Sequence, residues 1–257
     1  MEILTHASFA LFLVGLLAGS ASRWKPAGTL SAWSLAAATL SLSAALALRW
    51  KLSGRPPMTD QYESLLILAW CAGLGGIAAR SKSGLPLAGT LACALGASAL
   101  AGASLIDPSL RPLMPALRSD WLAYHVLTAM ASYAAFGLAA AAGLRQLTSS
   151  HSVASGLSTE GLMEGSLKAG FFLLTLGIAT GAVWAQRAWG SYWSWDPKET
   201  WSLITWLSYA VLLHLRRTHR LSSRALAWSC LAGAGIVLFT YVGVNFLLGG
   251  LHSYAGF

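Results

Sequence analysis

The residues best suited to chemistry in this chain are its imidazoles and its indoles. Six histidines, His6, His125, His151, His214, His219 and His252, supply ring nitrogens that ligate metals or carry protons near neutral pH. Twelve tryptophans are present, and six of them, Trp184, Trp189, Trp193, Trp195, Trp201 and Trp206, fall within 23 residues. Large rigid rings stack over a planar apolar ligand and exclude water from it. The plainer reading is an interfacial aromatic belt, because tryptophan favours the headgroup level of a bilayer. A belt would spread over many helix ends and two faces, whereas this crowd occupies one stretch. Within it, Asp196 as N-cap, Pro197 as first helical residue and Glu199 as third read as a helix start. The two carboxylates would take up free backbone N–H groups and complement the helix dipole. Such a start fixes the angle at which Trp193 and Trp195 are presented. Cys71, Cys93 and Cys230 each lie in an apolar run with no CxxC pair, and read as small buried residues rather than thiolate ligands.

The elements that must position these residues follow from composition. With 56% hydrophobic and 10% charged residues and a mean hydropathy of +0.59, the chain is far more apolar than a soluble domain, where charged residues make up roughly a quarter. The bilayer is its solvent. A net charge of +8 does not point to nucleic acid, since Lys and Arg fall in short clusters between long apolar runs. Crossing ~30 Å of hydrocarbon takes about 20 residues, and eight runs qualify: roughly 3–20, 28–48, 62–79, 84–106, 121–144, 168–187, 198–215 and 225–251. The pattern predicts an all-α polytopic membrane protein, a single integral membrane domain over 1–257, with both termini on one side. The first run lacks a basic leader and a cleavage pattern and reads as a spanning helix.

Orientation follows from Lys and Arg. With the termini outside, the inner loops hold Arg23, Lys25, Arg80, Lys82, Arg145, Lys168, Arg216, Arg217, Arg220 and Arg224, ten basic residues against seven for the outer segments. The loop 188–201, between helices six and seven, then faces outside, as do the start of helix five and the end of helix eight. The stretch 146–166 reads as a flexible inner connector.

The string WGSYWSWDPKETWSLITW at 189–206 closely resembles the WWD signature of the haem-handling family of cytochrome c biogenesis. Its DPKETWSLITW tail is similar to the CcsA (ResC) branch, rather than to the DPVEN tail of CcmF-type proteins or the DARLT tail of CcmC. The resemblance extends to YESLLILAW at 62–70, LMPALRSDWLAYHVLTAMASYAAF at 113–136, GAVWAQRAWG before the motif, and FTYVGVNFLLGGLHSYA near the C-terminus. It implies that Trp189, Gly190, Trp193, Trp195, Asp196 and Trp201 contribute to binding haem b, held transiently by axial histidines. It also implies a place in the System II pathway, in a bacterial inner membrane or a thylakoid membrane, as part of a cytochrome c synthase. The expected activity is transport and presentation of haem and its covalent attachment to the CxxCH of apocytochrome c, with a CcsB/ResB-type membrane partner. The alternative is a haem exporter or chaperone of the CcmC type without ligase activity. The chain has no CxxCH of its own, so it forms no thioether bonds to haem itself.

His125 lies four residues past Trp121, about 6 Å into helix five, and His252 ends helix eight on the same face. Both flank the tryptophan loop, where two imidazoles could hold haem iron from opposite sides. The resemblance assigns that role to these two positions. His214 lies ~26 Å along helix seven beside Arg216 and Arg217. By spacing it is an interfacial histidine among basic anchors; by resemblance it ligates haem at an inner site completed by the CcsB-type partner. His6, His151 and His219 receive no role. Arg55, Arg111, Arg118, Arg187 and Lys198 are the outer-face cations available to haem propionates.

Overall fold

The computed structural model describes residues 1–21, 25–83, 86–110, 112–148, 159–218 and 220–252. His151, His219 and Arg111 lie outside the described residues. Eight helices run through the rest: α1 Glu2–Ser20, α2 Lys25–Ser53, α3 Gln61–Ser83, α4 Pro86–Ala103, α5 Asp120–Thr148, α6 Thr159–Trp189, α7 Pro197–Arg217 and α8 Ser223–Leu247. The last carries a π-helical turn at Phe239–Gly243. The protein is thus all-α and polytopic. Seven of the helices are long and apolar enough to cross a membrane. The exception, α7, has 21 residues, about 30 Å at 1.5 Å per residue. Its charged ends and its Ser, Thr, Trp, Tyr and His side chains lower its hydropathy, and Lys198, Glu199 and Ser202 of its first turns line a cleft.

Two apolar clusters form the core. One joins α1 to α5 through Phe12, Leu35, Leu66, Cys93 and Met130. The other joins α5 to α8 through Phe136, Met163, Leu167, Tyr209 and Leu226. Helix α5 belongs to both and is the spine of the bundle. Without water to satisfy them, hydroxyls in the apolar layer bond across helices: Ser31 donates to the Gly15 carbonyl at 2.8 Å, and the Trp70 indole donates to Ser43 at 2.8 Å.

Most helix ends differ from expectation by a few residues, and three differences that bear on the site have a local reason. Helix α6 begins at Thr159 rather than 168, because Leu162, Met163 and Leu167 are buried while Glu160 and Glu164 pair with Arg216 of α7. Charged turns can therefore continue the helix beyond the apolar run. Helix α8 stops at Leu247 rather than 251, with Leu248 extended (φ −127°, ψ 117°) before Gly249 and Gly250. His252 consequently sits on a turn folded back from α8 and does not end the helix. The loop expected over 188–201 is confined to 190–196, so Trp189 closes α6 and Trp201 lies within α7.

At the end of the bundle where α2 stops and α3 starts lies a buried ion network. Arg49 and Glu63, both 0% exposed, pair at 2.7 Å. Glu63 also accepts from Arg55 at 2.9 Å and from the Thr59 N–H at 2.9 Å, and Arg49 donates to the Pro108 carbonyl at 2.8 Å. The network ties three segments together and shapes the rim at Thr59 and Asp60. Removing one partner of such a pair leaves a buried uncompensated charge, which costs about 3–5 kcal/mol. Glu63→Ala is therefore expected to melt well below wild type in detergent, while Arg49→Met/Glu63→Leu recovers much of the loss; an unchanged melting temperature for Glu63→Ala would contradict the network's role.

Candidate functional site

At the same end, α5, α6, α7 and α8 enclose a mostly apolar cleft, with Met58 to Gln61 and Leu117 at its rim. Its empty volume is about 1180 Å³ including the open mouth, the scale of sites for compact organic ligands, roughly 300–1,000 Å³. His125 and His252 both line it, with Trp184, Trp189, Trp193 and Lys198.

Helix α6 positions His125. Its Nδ1 lies 2.7 Å from the Gly177 carbonyl, and since a carbonyl only accepts, Nδ1 carries the proton and Nε2 keeps its lone pair. Gly181, one turn along α6, makes the approach possible: a Cβ there would lie 2.6 Å from the His125 Nδ1. The imidazole stacks on Trp184 at 6.0 Å between centroids and 13° between planes. Trp184 is itself immobilised, 2% exposed and donating its indole N–H to the Ala116 carbonyl at 2.9 Å.

The start of α7 positions His252. Asp196 caps the helix by accepting from the Lys198 N–H at 2.9 Å, and Glu199 returns to the Asp196 N–H at 3.2 Å, a complete capping box. The same carboxylate accepts from His252 Nδ1 at 2.7 Å and from the Leu251 N–H at 2.5 Å. Gly250 is required here, because a Cβ would collide with the Asp196 carboxylate. His252 thus donates from Nδ1 as His125 does, and in its neutral form keeps the lone pair on Nε2. A second ring nitrogen bound to a carboxylate or carbonyl is the arrangement that orients metal-ligating histidines. Burial pushes the Asp196 carboxyl up, but the bonds from His252, Lys198 and Leu251 outweigh it and hold the carboxyl below its ordinary value.

The tryptophan stretch divides by position. Trp189 meets the His252 ring edge-on at 4.8 Å, and Trp189 and Trp193 line the cleft. Gly190, at φ +79°, takes the left-handed turn that ends α6. Trp195, at φ +60° and 68% exposed, stands on the loop outside the cleft. Trp201 turns away to pack on Phe239 at 4.3 Å. Asp196 is buried behind His252 and reaches the cleft through it. Asp60, on the rim, has its carboxyl raised by burial and by the neighbouring Glu63.

Among the cations expected to be available to haem propionates, Arg55 is taken by Glu63, Arg187 lies over the Trp121 ring at 5.7 Å, and Arg118 stands beside a smaller neighbouring cleft. His6 is exposed on α1. His214 is exposed in the last turn of α7, about 24 Å along the helix from Lys198, and does not join the cleft.

A sequence profile described as "Cytochrome C assembly protein" matches residues 1–252. The chain belongs to this family. Its relatives include the cytochrome c biogenesis protein CcsA of Synechococcus sp. (strain CC9605), 37% identical over 100% of this chain and 98% of the relative. The CcsA of Synechococcus sp. (strain RCC307) is 42% identical over 86% of this chain and 83% of its own length. That of Prochlorococcus marinus (strain NATL2A) is 36% identical over 97% and 93%. In fold the chain is similar to the solved cytochrome c heme lyase CcmF, with a TM-score of 0.65 over 99% of this chain and 52% of that one, at 18% identity.

In this cytochrome c assembly family member, sequence reasoning counted Trp184 in the cluster without assigning it to the site, and it missed Gly177, Gly181 and Gly250. The Gly177 to Gly181 spacing, one turn on one helix face, was the available signal of a close helix approach. Nothing local signals that Gly250 abuts Asp196. The depressed Asp196 carboxyl sets a pH dependence. Below its ordinary value of 3.8 the unfolded chain takes up the proton first. This contribution to stability is therefore complete above about pH 4 and is lost as pH falls through the lower folded value. Asp196→Asn keeps a capping oxygen but no charge, so its melting temperature in detergent is expected to fall less steeply with acid; an acid limb as steep as wild type's would contradict the linkage.

Proposed function

We propose that this protein binds haem in the cleft, with His125 and His252 as axial ligands, and presents it for covalent attachment to apocytochrome c together with a CcsB/ResB-type partner. The observation that carries the reading is the matched state of the two imidazoles. Each has Nδ1 engaged as a donor and Nε2 left over, and both line one cleft walled by Trp184, Trp189 and Trp193. The membership in the cytochrome c assembly family and the CcsA name of its relatives supply the client.

In this reading haem is the substrate. The protein orients it, excludes water with the tryptophan walls, and holds the iron until the client's histidine replaces one imidazole. Each client thiol adds its S–H across a haem vinyl group, forming one C–S and one C–H bond without net oxidation. Asp196 acts through His252, as a positioning residue. The excess of Lys and Arg at the far end of the bundle supports a cleft that faces the outer side of the membrane. His214 at that far end would supply one ligand to an inner haem site, the other coming from the partner.

The test is haem content after purification. His125→Ala and His252→Ala are each expected to lose most of the Soret absorbance and to recover it in added imidazole, and both are expected to lose cytochrome c maturation in a reconstitution with the CcsB-type partner. His214→Ala is expected to impair loading only when that partner is present. Unchanged haem in the His125/His252 double variant would sink the ligand assignment. Haem release to apocytochrome c without thioether formation by the wild-type pair would favour the exporter reading instead.

A further inference from the structure

Lys198 is the one Lys or Arg among the described residues lining the cleft, and its position is costly in three ways. It lies in the first turn of α7, where the helix dipole disfavours a cation. It is partly withdrawn from water, which penalises an ammonium that has no close counter-charge. And among the described residues it forms no ion pair. Its Nζ donates instead to neutral acceptors, the Asn245 amide oxygen at 2.6 Å and the Tyr241 carbonyl at 3.1 Å, and lies 5.8 Å from the centre of the Tyr241 ring.

The nearby acids are already committed. The Asp196 oxygens receive His252, Leu251 and the Lys198 backbone N–H. Glu199 receives the Ser194 and Asp196 N–H groups. On the rim, Asp60 faces Arg49 at 3.6 Å. An ammonium has three donors, and two of them are used here. A chain that needed only a strut between α7 and α8 would meet the same acceptors with a neutral donor.

We propose that Lys198 anchors a carboxylate of the cleft's ligand, which on the haem reading above, on which this inference rests, is a propionate. Iron ligands approach a haem from its faces, while its carboxylates leave from one edge. A cation on the wall of the cleft that holds both imidazoles can therefore meet that edge without competing for the iron. The π turn contributes, since it carries Tyr241 and sets the register of Asn245 behind it.

The test compares haem with haem dimethyl ester, which keeps the iron and ring but lacks the carboxylates, each titrated into the purified full-length protein depleted of haem. Wild type is expected to prefer the free acid by roughly tenfold to a hundredfold, the worth of a charge-assisted hydrogen bond. Lys198→Gln is expected to bring that ratio close to one, with the Soret and α/β bands of bis-imidazole ligation unchanged, and Lys198→Arg to restore it. Lys198→Met, which keeps the apolar stem without the charge, serves if the Gln variant does not fold. A free-acid preference equal in wild type and variant overturns the proposal while leaving the haem site standing. If wild type binds neither porphyrin, the haem reading fails and the anchor fails with it.

Discussion

The carboxylate of Asp196 is the point on which the site depends. In a low-dielectric bundle an ionised carboxylate is stable only when its oxygens are filled, and two segments far apart in the chain meet that need here. Three donors do so: the first turn of α7 supplies a backbone N–H, the turn after α8 supplies another from Leu251, and His252 supplies its ring proton. One group thus sets where α7 begins, where the chain returns after α8, and which nitrogen of His252 remains free. Because these bonds share one acceptor, loss of the charge would loosen all of them together.

His125 is held by a different device. Its restraint is the main chain of α6, reached because Gly177 and Gly181 remove the side chains that would keep α5 and α6 apart. The result is geometrically equivalent, an imidazole that donates from Nδ1, but it is built from helix proximity. The two supports draw on separate parts of the bundle and converge at Trp184, whose ring is stacked on His125 and lies 5.7 Å from His252. A rigid indole between two imidazoles fixes their relative placement in a way that a flexible side chain would not.

Around the cleft, polar pairs join elements from both sides. The Arg49–Glu63 network braces the rim from the α2–α3 side, and the Thr205–Thr240 bond at 2.9 Å joins α7 to the π turn on the other. A π turn inserts a residue into the helix and rotates the turns beyond it, so Tyr241 and Asn245 face Lys198 rather than lipid. The apolar clusters supply cohesion, whereas these few polar contacts determine the register in which α5 to α8 present their residues.

The features legible in the sequence are those decided within a few residues. Apolar run lengths identify the spanning helices, because hydrocarbon thickness sets the requirement. Asp196, Pro197 and Glu199 mark the start of α7 at the residue where it occurs, since a capping box is local. The crowding of tryptophans and the rough depth of His125 and His252 are likewise readable from spacing. Other features needed the tertiary structure. These are the bond from His252 to Asp196 across 56 positions, the Gly177 carbonyl under His125, and the choice of Trp184, Trp189 and Trp193 over Trp195 and Trp201 as cleft walls. The same holds for Lys198 among several cations. Each depends on how helices far apart in the chain rotate and approach one another. That is settled by packing of small against large side chains, which leaves no periodic trace in any single segment.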